Sequence, residues 1–505
     1  MEGPARAVLK RRYTMKQTHL IMIVADQLRW DVLGKGYTPN IDAIAAEGIT
    51  FDRAYCASPL CGPARGALFT GLCPNTNGSR INPWFAADAA SGCVHQGIPH
   101  LYGMMEASGR ECIHSGKQHL FTEGGKLEDD PASQTRWLST ERSYQEFLAH
   151  AGRRAPGGPR FRTPVPEMAG GRHTRLCNYS NAETGCYEEG PAYYFDGYFT
   201  DRALLGLRER DPGRPLFLSA MFLAPHPPLD IPEPWYSSVT PEEVHLPDNV
   251  GRWYAYQSPL QMYNLTGVVG SRYTREQWKE SWRVYLGLVR LLDDCVGRLL
   301  EELRRQGIYD DCLIVFTSDH GEMLGSHRLF QKMCMYEESA RVPLFLRLPG
   351  GAHAGRHVTS TVSHLDVLPT LCHYLDLPAP ACEGRSLVPL IEEGAAWDGR
   401  DVFIQFDGNG ALGNFQRCVV RDAYKLIADI FKDEVYFELY DTASDPQETR
   451  NLLFEESVPV LARSMLQSLL EHMKVTHDDI RIPLTDLDAF VENYRDLAAK
   501  QGVCI

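Results

Sequence analysis

At 505 residues the chain exceeds one ordinary hydrophobic core, and its length calls for two or three domains. A hydrophobic content of 44% with 23% charged residues is that of a globular protein and excludes disordered and fibrous classes. The net charge of −14 argues against a sequence-independent grip on nucleic acid or on an anionic membrane, and no apolar run reaches the length of a membrane span.

Residues 1 to 14 carry basic groups but no signal-peptide core, so they read as a disordered extension of a cytoplasmic protein. Leu20 to Ala25 is short, apolar and rich in Ile and Val, the pattern of a strand buried on both faces, and it ends at Asp26-Gln27. Thr38-Pro39 through Gly48 predicts a helix, with a capping residue, proline at the first helical position and a closing glycine. Residues 61 to 71 read Cys-Gly-Pro-Ala-Arg-Gly-Ala-Leu-Phe-Thr-Gly, which sets Cys61, Pro63 and Arg65 in a C-x-P-x-R pattern. Cys56 is the internal control, because its proline is displaced and the arginine is missing. Fourteen cysteines in this length do not make a disulfide framework, and Cys56, Cys61 and Cys73 lack zinc-site spacing.

Gly116-Lys117-Gln118-His119 follows, and then residues 121 to 197, whose Gly, Pro, Arg and Tyr content predicts long loops over a site. Phe217 to Leu223 reads as a core strand leading into Ala224-Pro225-His226-Pro-Pro. Arg275 to Gln306 has sustained helical periodicity, with Leu286, Val289, Leu292, Val296, Leu299 and Leu303 on one face. Cys312 to Thr317 is another core strand, ending at Ser318-Asp319-His320, and Val342 to Leu348 is a further one. Beyond Ala395 the pattern changes to short strands at Val402–Phe406 and Val435–Tyr440, with a turn at Asp445-Pro446. Strands alternating with helices give an α/β fold with a large, mainly parallel sheet flanked by helices. In such sheets polar groups at the carboxyl ends of strands build the site, and Asp26-Gln27, His226 and Asp319-His320 all arrive there.

Taken in order, these segments resemble the type I sulfatases of the alkaline phosphatase superfamily, over about Met15 to Leu453. The matching runs are Leu20-Ile-Met-Ile-Val-Ala-Asp-Gln, the C-x-P-x-R run, Gly116-Lys-Gln-His-Leu, Ala224-Pro-His-Pro-Pro, Phe316-Thr-Ser-Asp-His-Gly-Glu and Arg341-Val-Pro-Leu. Glu438 to Asn451 resembles the family's closing stretch, which implies a smaller C-terminal subdomain with a short antiparallel sheet. The expected division is a catalytic domain over residues 15–395 and a subdomain over 396–505.

The resemblance implies that a maturation enzyme oxidises Cys61 to formylglycine, whose hydrate attacks sulfur and then expels sulfate through its second hydroxyl. Asp26, Gln27, Asp319, His320 and the modified Cys61 are the implied ligands of one divalent cation, Ca²⁺ first, with Mg²⁺ or Mn²⁺ as alternatives. Lys117 and Lys332 are expected to balance sulfate charge, Arg65 to hold the hydrate, His226 to protonate the leaving alcohol, and His119 to act as base in the release step. The plain alternative makes Asp26 and Asp319 helix caps and the lysines surface groups. The expected substrate is a small-molecule or oligosaccharide sulfate ester, a sulfated sugar or glycosaminoglycan fragment above all. Two rivals stand beside it: a phosphonate monoester or phosphodiester hydrolase of the same superfamily, and a non-catalytic binding protein on the same fold.

Overall fold

The computed structural model describes residues 18–85, 90–169, 173–455 and 457–500, so the extension expected over residues 1 to 14 lies outside them. Among the described residues nine strands make the main sheet. Across it run Arg341–Val342, Ile49–Tyr55, Leu344–Arg347, Cys312–Ser318, His19–Asp26, Leu216–Pro225, Glu111–Gly116 and Arg136–Ser139, with Arg356–Ser363 also paired to Ile49–Tyr55. Five of its eight strand pairings are parallel, which makes the sheet mainly parallel as its pattern predicts.

The central strand His19–Asp26 is buried along its whole length, and its side chains alternate between two cores. Ile21, Ile23 and Ala25 face the core formed with helix Arg275–Arg305, whose Leu286, Val289, Leu292, Val296, Leu299 and Leu303 are all buried. Leu20, Met22 and Val24 face the core that holds Leu68 and Phe69 of helix Cys61–Thr70 and Leu101 of helix Leu101–Ala107. Each such side chain contributes about 1.5–3 kcal/mol by leaving water, so this one strand binds two helical layers together.

Two expectations need correction. The run Val342 to Leu348 lies in the core of the main sheet but is not one strand: it breaks at Pro343, which has no N–H to give, and both pieces pair antiparallel with their neighbours. Residues 121 to 197 are not simply long loops. They contain the edge strand Arg136–Ser139, helix Glu141–Ala151, and an antiparallel hairpin of Arg162–Ala169 with His173–Ser180. The hairpin hides its alternation behind prolines: Val165, Glu167 and Ala169 are buried while Arg162, Pro164 and Pro166 are exposed. The helix starts on a capping box of Thr140 with Ser143, where the usual signal has Glu or Gln at the third position.

Toward the C-terminus Asp401–Phe406, Phe415–Arg421, Tyr424–Phe431 and Glu434–Asp441 form a four-stranded antiparallel sheet, packed on helix Val460–Val475 through a third core. It is joined to the rest by a fully buried ion cluster, in which Lys425 Nζ lies 2.6 Å from Glu337 Oε1 and 2.9 Å from Glu448 Oε1. Lys425→Met is expected to strand two buried carboxylates and to destabilise the fold by about 3–5 kcal/mol, measured as a lower urea midpoint at unchanged slope. An unchanged midpoint would show that this cluster does not hold the two sheets together. No described helix is long and apolar enough to cross a membrane.

Candidate active site

Register brings the polar groups together. Ala25 pairs with Ser318 and Asp26 with Pro225, so Asp26, His226 and Asp319 leave three neighbouring parallel strands at the same carboxyl edge. Strand Glu111–Gly116 delivers Lys117 to that edge, and Gly116 is required there: its φ is +119°, and a Cβ would sit 1.8 Å from the Met221 carbonyl oxygen. Cys61 arrives from the opposite side as the first residue of the buried helix Cys61–Thr70, whose N-terminus favours negative charge on its side chain.

The ligand atoms of Asp26, Cys61, Asp319 and His320 all lie within 4.8 Å of one another, and the four residues are buried. Cys61 Sγ is 3.2 Å from His320 Nε2 and 3.8 Å from both Asp26 Oδ1 and Lys117 Nζ. Neither aspartate caps a helix; Asp319 Oδ1 instead accepts the backbone N–H groups of Gln27 and His320 at 3.2 and 2.9 Å. Arg65, without exposed surface, donates Nε to Asp319 Oδ2 at 3.0 Å, reaches Asp26 Oδ2 at 3.5 Å and donates to the Lys117 carbonyl at 2.7 Å. All three contacts tie it to the carboxylates and their frame. Lys117 Nζ pairs with Asp26 Oδ2. The donor set of two carboxylates, an imidazole and a sulfur position converging on one point fits a single divalent cation.

Electrostatics single out Cys61. Burial raises its thiol, but Lys117, Lys332 and His320 outweigh that and hold it well below the usual thiol value. Every other described cysteine is shifted upward, with burial as the leading cause. Burial and the Asp26 charge push Asp319 up. Burial and Cys61 push Asp26 the same way, yet Lys117, His226 and Arg65 carry it below the carboxylate range.

Two histidines flank the cluster. His119 Nε2 is 2.7 Å from Glu141 Oε2, while its Nδ1 is buried without a hydrogen-bond partner among the described residues. The carboxylate fixes the proton on Nε2 and leaves the Nδ1 lone pair free. Burial works against a charged His119, but Glu141 outweighs it and raises its pKa. His226 is pushed down to about 4 by burial and Lys332. Its Nδ1 donates to the Pro227 carbonyl at 2.5 Å, and its Nε2 accepts from Lys332 Nζ at 2.9 Å. Gln27 Oε1 accepts from the same ammonium at 2.7 Å, so its amide oxygen is turned to Lys332, and its amide nitrogen is bonded to Glu322. Gln27 and His119 both hold left-handed backbone, with φ of 69° and 45°, a strained state concentrated at functional sites.

Cys61, Lys117, His119, His226 and Lys332 line one cavity of about 630 Å³, while Arg65 lies behind it. His327 is elsewhere, stacked on Tyr336 at 4.0 Å, and His100 caps helix Leu101–Ala107. Sequence reasoning missed Glu141 and Asn82. Glu141 is 22 residues from His119 and no spacing rule connects them; Asn82 Oδ1 accepts the Gly62 N–H at 3.0 Å beside the candidate nucleophile.

Comparison with known proteins gives this geometry a context. The sulfatase family profile matches residues 18–377, and that of the N-sulphoglucosamine sulphohydrolase C-terminal region matches residues 325–475. The multifunctional alkaline phosphatase superfamily protein PehA of Trinickia caryophylli is 30% identical, over 92% of this chain and 96% of its own length. An N-acetylglucosamine-6-O-sulfatase of Bacteroides thetaiotaomicron is 26% identical, over 88% of this chain and 83% of its own. The phosphonate monoester hydrolase of Agrobacterium radiobacter shares the fold with a TM-score of 0.71 at 24% identity, over 91% of this chain and 96% of that one. The chain therefore belongs to the sulfatase family, within the alkaline phosphatase superfamily, and is a sulfuric ester hydrolase.

Proposed function

We propose that the protein cleaves the sulfate ester of a sugar or glycosaminoglycan fragment, releasing alcohol and inorganic sulfate through formylglycine made from Cys61. The observation that carries this is residue 61 itself, a cysteine in C-x-P-x-R whose side chain is set among two lysines, two carboxylates and His320. The oxidised residue supplies a hydrated aldehyde, with one hydroxyl to displace the alcohol at sulfur and a second to expel sulfate. Asp26, Asp319, His320 and residue 61 would hold the divalent cation, Ca²⁺ foremost, while the Gln27 amide oxygen, turned to Lys332, would join them only by giving up that bond; the ion would supply Lewis-acid charge for sulfate oxygens.

The chain's own groups divide the remaining work. Lys117 and Lys332 provide fixed positive charge for the sulfate, preorganised in a chain whose net charge is −14. Arg65 clamps the two carboxylates in place. His119, oriented by Glu141, takes the proton whose loss frees sulfate. His226 Nε2 accepts from Lys332 Nζ at 2.9 Å, so in this pair the ammonium carries the proton for the leaving alcohol and His226 positions it. Cys61 and Arg65 are 3% and 0% exposed, so the maturation enzyme has access to the motif only before the helix is buried.

The sugar reading draws support from the N-acetylglucosamine-6-O-sulfatase relative and from the matching C-terminal profile. A phosphonate monoester is the second reading, because it too is a tetrahedral monoanion and the fold is shared with a phosphonate monoester hydrolase. A binding-only protein is the weakest, since the cysteine and both carboxylates are retained. The test is kcat/KM of the oxidised enzyme on sulfated saccharides, an aryl sulfate and an aryl phosphonate. Sulfate esters are expected to be preferred, and a higher value for the phosphonate would move the assignment to the second reading.

A further inference from the structure

Beyond the groups that meet the sulfate, the cavity has a second, unassigned set of features. Trp84 lines it with 48% of its surface exposed, its ring edge-to-face with His119 at 5.7 Å and with Phe121 at 6.3 Å. No described ring stacks on its face. Trp84 belongs to a segment built into the site: its backbone N–H donates to the Asn82 carbonyl at 2.8 Å, and the Asn82 side chain accepts from the Gly62 N–H at 3.0 Å and donates to Asn409 at 2.9 Å. The backbone that carries the indole is thus anchored to the residue next to Cys61. A half-exposed tryptophan costs nothing to present to a ligand ring, and apolar neighbours Leu176, Phe195 and Leu223 line the same space.

Charge in the cavity is asymmetric. Lys117 is engaged by Asp26, and Lys332 by Gln27 and His226, next to the position for the scissile sulfate. Among the described residues Glu141 is the one acidic residue lining the cavity, and it is taken by His119. Arg162, the first residue of the hairpin strand, is exposed and lines the cavity, and among the described residues no carboxylate pairs with it. The site therefore has one cation more than the sulfate and the catalytic pairs require.

We propose that the leaving group is a ring that stacks on Trp84 and carries a second anion, a carboxylate or another sulfate, which Arg162 binds. This rests on the sulfate-ester reading and narrows its substrate class: a quaternary ammonium alcohol is disfavoured, because Arg162, Lys117 and Lys332 repel it.

The test measures KM of the oxidised enzyme and of its Arg162→Gln and Trp84→Ala variants on 4-nitrophenyl sulfate, on analogues bearing a ring carboxylate or a second ring sulfate, and on choline sulfate. Arg162→Gln touches none of the groups that hold or attack the sulfate, whereas Trp84→Ala removes a ring packed on His119, so its effect is read in KM separately from kcat. The wild type is expected to show a KM about tenfold lower for at least one dianionic analogue than for 4-nitrophenyl sulfate, the value of one charge-assisted contact. Arg162→Gln should erase that preference and leave 4-nitrophenyl sulfate within about twofold, and whichever analogue loses more names the anion as carboxylate or sulfate. Trp84→Ala should raise KM about tenfold for the ring substrates alone. Equal KM for mono- and dianionic rings, or an equal loss on all substrates in Arg162→Gln, overturns the proposal while aryl sulfate turnover keeps the sulfate-ester reading. Failure of the oxidised enzyme on every sulfate overturns both.

Discussion

Asp319→Ala is expected to lower kcat/KM for any sulfate ester by about 10³-fold or more, together with loss of bound divalent cation. The size follows from what the carboxylate does. It offers a formal charge and an oxygen to the cation position, worth several kcal/mol of charge stabilisation, and it accepts Arg65 Nε at 3.0 Å in full burial. Asp319→Asn keeps the shape and one oxygen, and should retain more metal than the alanine variant while remaining strongly impaired. Metal content by elemental analysis, one ion per chain in the wild type, separates this from unfolding, and a thermal melt serves as control. Chelation should inactivate the wild type and Ca²⁺ restore it. A metal-free preparation with full activity would falsify the assignment of this cluster.

His226→Ala is expected to act according to the leaving group. An alkyl alcohol departs poorly without a proton, whereas nitrophenolate departs unaided, and a general acid contributes about 10²–10⁴-fold. A sugar sulfate should lose about that factor, while 4-nitrophenyl sulfate loses less than about tenfold. The partnership with Lys332 at 2.9 Å predicts the same selectivity in Lys332→Ala, on top of a KM increase from lost sulfate charge. His119→Ala should slow both substrates to a similar extent, because it acts after the alcohol has left. Equal losses for both substrates in His226→Ala would assign the proton to another group.

The parts of the fold that were legible are those in which one residue pattern has one outcome. The run ending at Asp26 has both faces covered, so its continuous apolar sequence can only be a central strand, and the 31-residue helix Arg275–Arg305 keeps its stripe throughout. Parallel strands then place their carboxyl ends together, which is why Asp26, His226 and Asp319 were legible as neighbours. The hairpin that carries Arg162 was not, because Pro164 and Pro166 are strand breakers by composition yet sit on its exposed face. Nor was Glu141. Its bond to His119 depends on where helix Glu141–Ala151 lies in space, and nothing local in either segment encodes that. The same holds for Asn82 and Trp84, which matter through contacts across the chain to Gly62, Asn409 and His119.

The central claim is that an oxidised Cys61 does the chemistry, and its most direct test couples mass spectrometry to turnover. The protein is produced with and without a formylglycine-generating enzyme, the peptide containing Cys61 is weighed, and kcat on 4-nitrophenyl sulfate is measured on each preparation. The account predicts an aldehyde at residue 61 and at no other cysteine, activity proportional to the converted fraction, and none in Cys61→Ala. Because the motif is buried in the folded chain, conversion should succeed during synthesis and fail on purified folded protein. Full turnover by protein carrying only the unmodified Cys61 thiol would contradict it.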